Sequence, residues 1–212
     1  MSSPKIPSRC IRGEGSEKPS DFNVMHELEY LLEKENKKPW SRRKGVFHPS
    51  GITGCARALY YDRIGTEPKE CIPRDLRMLF NMGHAIHDSV QDMLEKNFKS
   101  FKSEVPAYYE PLEIFGHCDG IFTDEDWLLE IKTAGDSVFK GLSKPKPEHV
   151  QQVHCYMWAL DVPRCQVLYV HRSSGTFKMF PVFFDDRIWE RVVRTVNYIN
   201  ECVDKNEPPP KE

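Results

Sequence analysis

The chain has 212 residues, 39% hydrophobic and 29% charged, enough to bury one substantial core and too few for two large domains. A formal charge of −2 and a pI near 6.5 exclude a surface that is basic throughout. Binding to nucleic acid would have to draw on local clusters such as Arg42-Arg43-Lys44, Arg57 with Arg63, Arg74 with Arg77, or the loop 140–146, each of which taken singly reads more readily as a solvated face. The longest apolar runs, 156–160 and 165–170, fall far short of the roughly 20 residues of a membrane helix, and residues 1–20 carry no apolar run of a secretory signal. Seven scattered cysteines, an odd number without a C-x-x-C pair, read as free thiols, and the expectation is a protein of the reducing cytoplasm.

Residues 1–21 read as a flexible polar arm, 22–204 as a single domain, and 205–212, with Pro208-Pro209-Pro210, as a stiff polar tail. Val24, Leu28, Leu31 and Leu32 recur at helical spacing and predict a first helix over 22–36, with Asp21 as its N-cap. Ser50 caps a short second helix through Cys55, Leu59 and Tyr60, ending near Gly65. Leu76, Leu79, Phe80, Ile86, Val90, Met93 and Leu94 form an apolar stripe that predicts a longer helix, or two, over 75–98. The period then shortens towards two. Runs on either side of Thr123-Asp124-Glu125-Asp126, punctuated by Gly116 and Gly120, predict a β-hairpin. Residues 148–160 return to helix, 166–171 and 177–184 make a second strand pair about Ser173-Ser174-Gly175, and 186–203 close the chain as a helix. The order predicts an α/β fold: a mixed central sheet flanked by helices, with an N-terminal helical part.

A turn about Asp124-Glu125 sets Asp119 opposite Glu130 and His117 opposite Lys132, so one face of the hairpin gathers Asp119, Glu130 and Lys132. Opposed Cβ atoms stand about 5 Å apart. Two carboxylates that close repel each other unless they share a hard cation, Mg2+ or Mn2+, and Lys132 beside them can stabilise charge on a phosphate. These are the needs of phosphodiester hydrolysis, although an exposed ion-pair ladder is the other meaning of the same three residues. The opposite face, with Cys118, Phe122, Leu129 and Ile131, is suited to packing on a helix. In the helix before, Gly83-x-x-x-His87 sets an imidazole one turn beyond a residue without a side chain. That imidazole either completes a metal shell or is an ordinary helix histidine. In the helix after, Gln152 and Tyr156 share one face.

The ordered series Gly83-x-x-x-His87, Gly116-x-x-Asp119-Gly120, Glu130-Ile131-Lys132 and Gln152-x-x-x-Tyr156 resembles the motif series of RecB-like nucleases, a branch of the PD-(D/E)XK superfamily with a restriction-endonuclease-like core. The resemblance covers about 48–186, including HPSGITGCARALYYDRIG, PEHVQQVHCYMWAL and VLYVHRSSG. The group includes nuclease domains of bacterial recombination helicases, CRISPR-associated RecB-like exonucleases, the mitochondrial genome maintenance exonuclease and small phage exonucleases, whose pattern the chain follows most nearly. The resemblance implies that His87, Asp119, Glu130 and the carbonyl of Ile131 bind the metal, and that Lys132 acts on water and phosphate. It implies that Gln152 and Tyr156 position DNA and the active centre, and that Arg57 lies near the DNA entrance. Glu104 stands where some relatives carry a glutamate on the strand before the hairpin, and reads equally as a solvated edge charge.

Iron–sulfur members of the group begin their cluster with a cysteine in the segment of Cys55 and finish it with three clustered cysteines near the C-terminus. Here Cys155, Cys165 and Cys202 are spread too widely to match, so no iron–sulfur cluster is expected, and no close ligand pair favours structural zinc. The resulting expectation is a metal-dependent deoxyribonuclease, an exonuclease processing DNA ends in recombination, repair or phage DNA metabolism. DNA is the expected partner, a single-strand binding protein or annealing recombinase a candidate one, and the cytoplasm, the host's if the gene is a phage's, the expected location. The rival expectations are a structure-specific or nicking endonuclease on the same fold, a non-catalytic DNA-binding protein retaining it, and an unrelated module in which these residues do not converge.

Overall fold

A computed structural model describes residues 24–36, 43–66 and 73–211. Among them the elements run α1 (Val24–Asn36), α2 (Ala56–Arg63), α3 (Arg74–Asn97), β1 (Phe101–Tyr109), β2 (Ile114–Phe122), β3 (Trp127–Ala134), α4 (Asp136–Gly141), α5 (Pro147–Leu160), β4 (Arg164–His171), β5 (Phe177–Phe183) and α6 (Asp186–Asp204). The expected arm over 1–21, and with it Asp21 as a cap, lies outside the described residues. Most expected elements are present, and the long apolar stripe makes one helix, α3. Helix α2 starts later than expected: its N-cap is Cys55, and Ser50 lies in a run of tight turns closed by Gly51 N–H to His48 O and Gly54 N–H to Gly51 O, both 2.8 Å. Helix α5 begins at Pro147, whose missing N–H costs nothing in a first helical turn. Two elements, β1 and α4, add to the predicted order.

The five strands form one mixed sheet in the order β1-β2-β3-β4-β5. Strands β1, β2 and β3 are antiparallel, β3 and β4 are parallel, and β5 is antiparallel to β4. Parallel neighbours need a crossover, here the chain through α4 and α5. Alternation along β3 feeds two cores. Leu128 packs with Val153, Tyr156 and Met157 of α5 and with Val167 and Tyr169 of β4. Leu129 and Ile131 turn the other way, against Val90, Ile86 and Leu94 of α3. A further core joins Leu59 and Tyr60 of α2 to Trp189, Val192, Val196 and Ile199 of α6, with Cys155 of α5. The α6 stripe has the three- and four-residue spacing of a helix face, and Asp185 caps that helix by accepting from Arg187 N at 2.9 Å. The result is a sheet with α3 on one face and α5, backed by α6 and α2, on the other. Among the described residues no helix is long and apolar enough to cross a membrane.

The hairpin has the predicted register next to its turn, where Phe122 pairs with Trp127, Ile121 with Leu128 and Gly120 with Leu129. It does not continue to Asp119–Glu130 and His117–Lys132 as expected. Beyond Gly120 the two strands separate, while β3 goes on pairing with β4 as far as Ala134 and His171. Pairing between β1 and β2 also skips one step, at Glu104 and Asp119, and Glu104 has a left-handed φ of 48°. This break shifts the face alternation of β2. Gly120 faces Phe101 on the α3 side, but the Cys118 side chain joins the α5 core and not the core of Leu129 and Ile131 as expected.

Candidate active site

The gap between the separated ends of β2 and β3 opens into a cavity of about 590 Å³ under the N-terminal half of α3. His87, Asp119, Glu130, Lys132 and Gln152 line it together. Each is fixed by the element that carries it. Asp119 Oδ2 accepts the Ile131 N–H at 2.5 Å, so its side chain takes the place of the lost strand partner. Its other oxygen faces His87 Nδ1 at 3.5 Å, across from α3. On β3, Glu130 Oε1 receives Lys132 Nζ at 2.7 Å and Gln152 Nε2 at 2.8 Å, while Gln152 Oε1 accepts from Lys132 Nζ at 2.9 Å. Gln152 Nε2 also donates to Tyr156 Oη at 3.2 Å. Tyr156 stands one turn deeper, lining a neighbouring cleft with Gly116 and His117.

The motif glycines have steric reasons. A Cβ on Gly116 would stand 3.0 Å from Pro49 and 3.1 Å from the Tyr156 ring, and one on Gly120 would run into the ring of Phe101. Gly83 is different, because a Cβ there would meet Thr133 Oγ1 at an ordinary 3.6 Å.

Glu130 is 2% exposed, and its Oε2 has no hydrogen-bond partner. Burial, then the charge of Asp119, raises its pKa from the ordinary carboxylate range to about 7, against the pull of Lys132. For Lys132, burial acts downward but is outweighed by the charge and hydrogen bond of Glu130, then by Asp119, and the ammonium holds its proton more tightly than usual. His87 is likewise raised: burial opposes the shift, and the hydrogen bond and charge of Asp119 overcome it. Among the described residues no three His, Cys, Asp or Glu side chains are arranged as a ready-made metal cage. Here Lys132 and Gln152 occupy only Glu130 Oε1, while His87 and the Ile131 N–H take the two oxygens of Asp119. The donor set is still one that a hard cation accepts, two carboxylates and an imidazole, and Glu130 Oε2 is left as an unpartnered acceptor.

Gln91 was not singled out by sequence. It is 5% exposed, and its Nε2 donates to Glu104 Oε1 at 2.9 Å and to the Asp119 carbonyl at 2.8 Å, tying α3 to both sides of the sheet break. Its place one turn beyond His87 on the same helix face was the available signal. Glu104, whose meaning was open, lines the cavity. Arg57 is not brought there: it donates to the Pro209 carbonyl at 2.6 Å and lies over the ring of Tyr61. Cys55 is exposed, Cys165 and Cys155 are buried in separate cores, and burial pushes the Cys155 thiol up to about 12.

No protein-family model and no curated protein matches the chain. Solved structures do. The crystal structure of SSO0001 is 18% identical, with a TM-score of 0.57, over 84% of this chain and 86% of that one. An alkaline exonuclease (LHK-Exo) from Laribacter hongkongensis is 16% identical, with a TM-score of 0.57, over 76% of this chain and 89% of that one. A phage-related exonuclease from Haemophilus somnus 129PT is 11% identical, with a TM-score of 0.52, over 72% and 82%. At these identities the likeness is one of fold: this chain shares the mixed sheet and flanking helices of exonuclease structures.

Proposed function

We propose that the chain is a metal-dependent DNA nuclease of the RecB-like, PD-(D/E)XK type, an exonuclease that hydrolyses phosphodiesters at DNA ends in recombination, repair or phage DNA metabolism. The observation that carries this reading is the meeting of Asp119, Glu130, Lys132 and His87 in one open cavity where a buried carboxylate oxygen has no partner. The likeness of fold to exonucleases supports it. In this reading His87, Asp119, Glu130 and the Ile131 carbonyl would hold Mg2+ or Mn2+, which would supply Lewis-acid chemistry toward water and phosphate. Lys132 brings a firmly protonated Nζ to the phosphate. Gln152 holds Lys132 and Glu130 in one plane of hydrogen bonds, so that neither drifts from the cavity. Burial, then the charge of Glu130, raises the Tyr156 phenol well above its usual range, so it stays a neutral donor beside the adjoining cleft. The buried, separate positions of Cys155 and Cys165 favour an enzyme without an iron–sulfur cluster.

The test is digestion of single- and double-stranded DNA labelled at the 5′ or 3′ end, in EDTA, Mg2+ or Mn2+, with Glu130→Gln alongside. Metal-dependent shortening that the variant loses is expected. DNA left intact by the wild-type protein under every condition overturns the reading.

A further inference from the structure

One stretch of the cavity wall, on the N-terminal side of the proposed metal ligand His87, is apolar. Leu76, Phe80, Gly83 and His87 follow one another at helical spacing on a single face of α3, with Leu79 beside them, and all five line the cavity. Leu76, Leu79 and Phe80 are 40%, 39% and 45% exposed, although an amphipathic helix ordinarily turns such residues inward. The opposite wall is polar, with Glu130, Lys132 and Gln152. Seven residues of helix separate Phe80 from His87, about 10 Å at 1.5 Å per residue, or about three bases at the ~3.4 Å rise of a strand.

From this placement we infer that Leu76, Leu79 and Phe80 form a stacking wall for the nucleobases of an unpaired DNA strand whose backbone runs to Lys132. The inference rests on the nuclease reading and names its substrate class. In a duplex every base face but those of the terminal pairs is covered by a neighbour, so an apolar wall that spans about three bases has little to stack on. A separated strand exposes those faces, and their stacking on aromatic and aliphatic side chains is indifferent to sequence. Charge points the same way. A net charge of −2 gives phosphate contacts no overall excess of positive charge to draw on, and stacking supplies affinity that salt does not screen.

The test measures fluorescence anisotropy of labelled oligothymidylate and of its duplex with oligoadenylate, in Ca2+, with cleavage assayed separately in Mg2+ and Mn2+. Wild-type protein is expected to bind the single strand at least about tenfold more tightly than the duplex, with a shallow dependence on salt. Phe80→Ala and Leu79→Ala are each expected to lose about tenfold in single-strand affinity. Met78→Ala, an equally exposed position on α3 that does not line the cavity, is expected to lose none. Circular dichroism of each variant guards against misfolding. Cleavage by the wild type, together with Phe80→Ala and Leu79→Ala affinities within twofold of it or with equal binding of duplex, overturns the stacking wall and leaves the nuclease standing. A concentration-dependent dimer that Phe80→Ala dissociates also overturns it, by giving the wall to a second copy. Absence of cleavage by the wild type overturns the nuclease reading itself.

Discussion

Along α5 six successive residues, 152–157, are buried between the sheet and the layer behind it, whereas in α3, nearly twice as long, burial is confined to Val90 and Gln91 among the residues whose side chains are described. Both helices supply the cavity, one with Gln152 and the other with His87. The difference divides the labour. Glu130 and Lys132 of β3 are hydrogen-bonded to Gln152, which stands on the helix buried along both the sheet and the layer behind it. Leu76, Leu79 and Phe80, which the stacking proposal gives to an unpaired strand, lie on the more exposed helix.

The largest expected effect sharpens this contrast at its chemical end. Glu130→Gln keeps the shape and a bond to Lys132 but removes the charge, so cleavage of end-labelled DNA falls by about a thousandfold while circular dichroism is unchanged. Truncation compares the helices directly. Met157→Ala in α5 should cost about 2–5 kcal/mol in urea unfolding, and Met82→Ala in α3, 43% exposed, within about 0.5 kcal/mol of nothing. Equal costs would break the comparison. The glycines divide similarly. Gly120→Ala must displace Phe101 from its core and should cost about 1–3 kcal/mol, whereas Gly83→Ala, with room for its methyl group, should gain about 0.5–1 kcal/mol.

A pH dependence arises on the α5 side. Burial, then the charge of Lys132, lowers His149 from 6.5 to about 4, so the folded protein keeps this ring neutral where the unfolded chain would protonate it. Stability from this group is therefore complete above pH 6.5 and is lost as pH falls towards 4. The buried His154 acts in the same direction. His149→Gln should flatten part of the acid-side fall in Tm, measured by melting across that range.

The helices and the hairpin were legible because each rests on a local period, and the residues that meet in the cavity could be named because their spacing fixes their faces. Strand β1 was not, because Pro106 and the polar Lys102, Ser103 and Glu104 interrupt its alternation; Pro106 is tolerated because β1 lies at the sheet's edge. Helix α4 is too short to show a period. The separation of β2 from β3 was hidden for another reason: counting from a turn assumes that pairing continues, and a side chain that bonds the partner's backbone, as Asp119 does, ends it without a local sign. The place of Arg57 depends on Pro209 at the far end of the chain, a contact no local pattern announces.

The same separation sets an order of assembly. The closed end of the hairpin, from Gly120 and Leu129 to the turn, needs neighbours close in sequence and can form early. The open end has no backbone ladder to β2, only the Asp119 side chain on Ile131 N–H, and Glu130 and Lys132 pair with β4, which arrives after α4 and α5 have been traversed. A chain arrested with its hairpin made but its crossover missing holds the motif residues without the cavity. On the proposed function, cleavage during refolding is expected to appear only once β3 and β4 have paired, later than a signal from the hairpin alone.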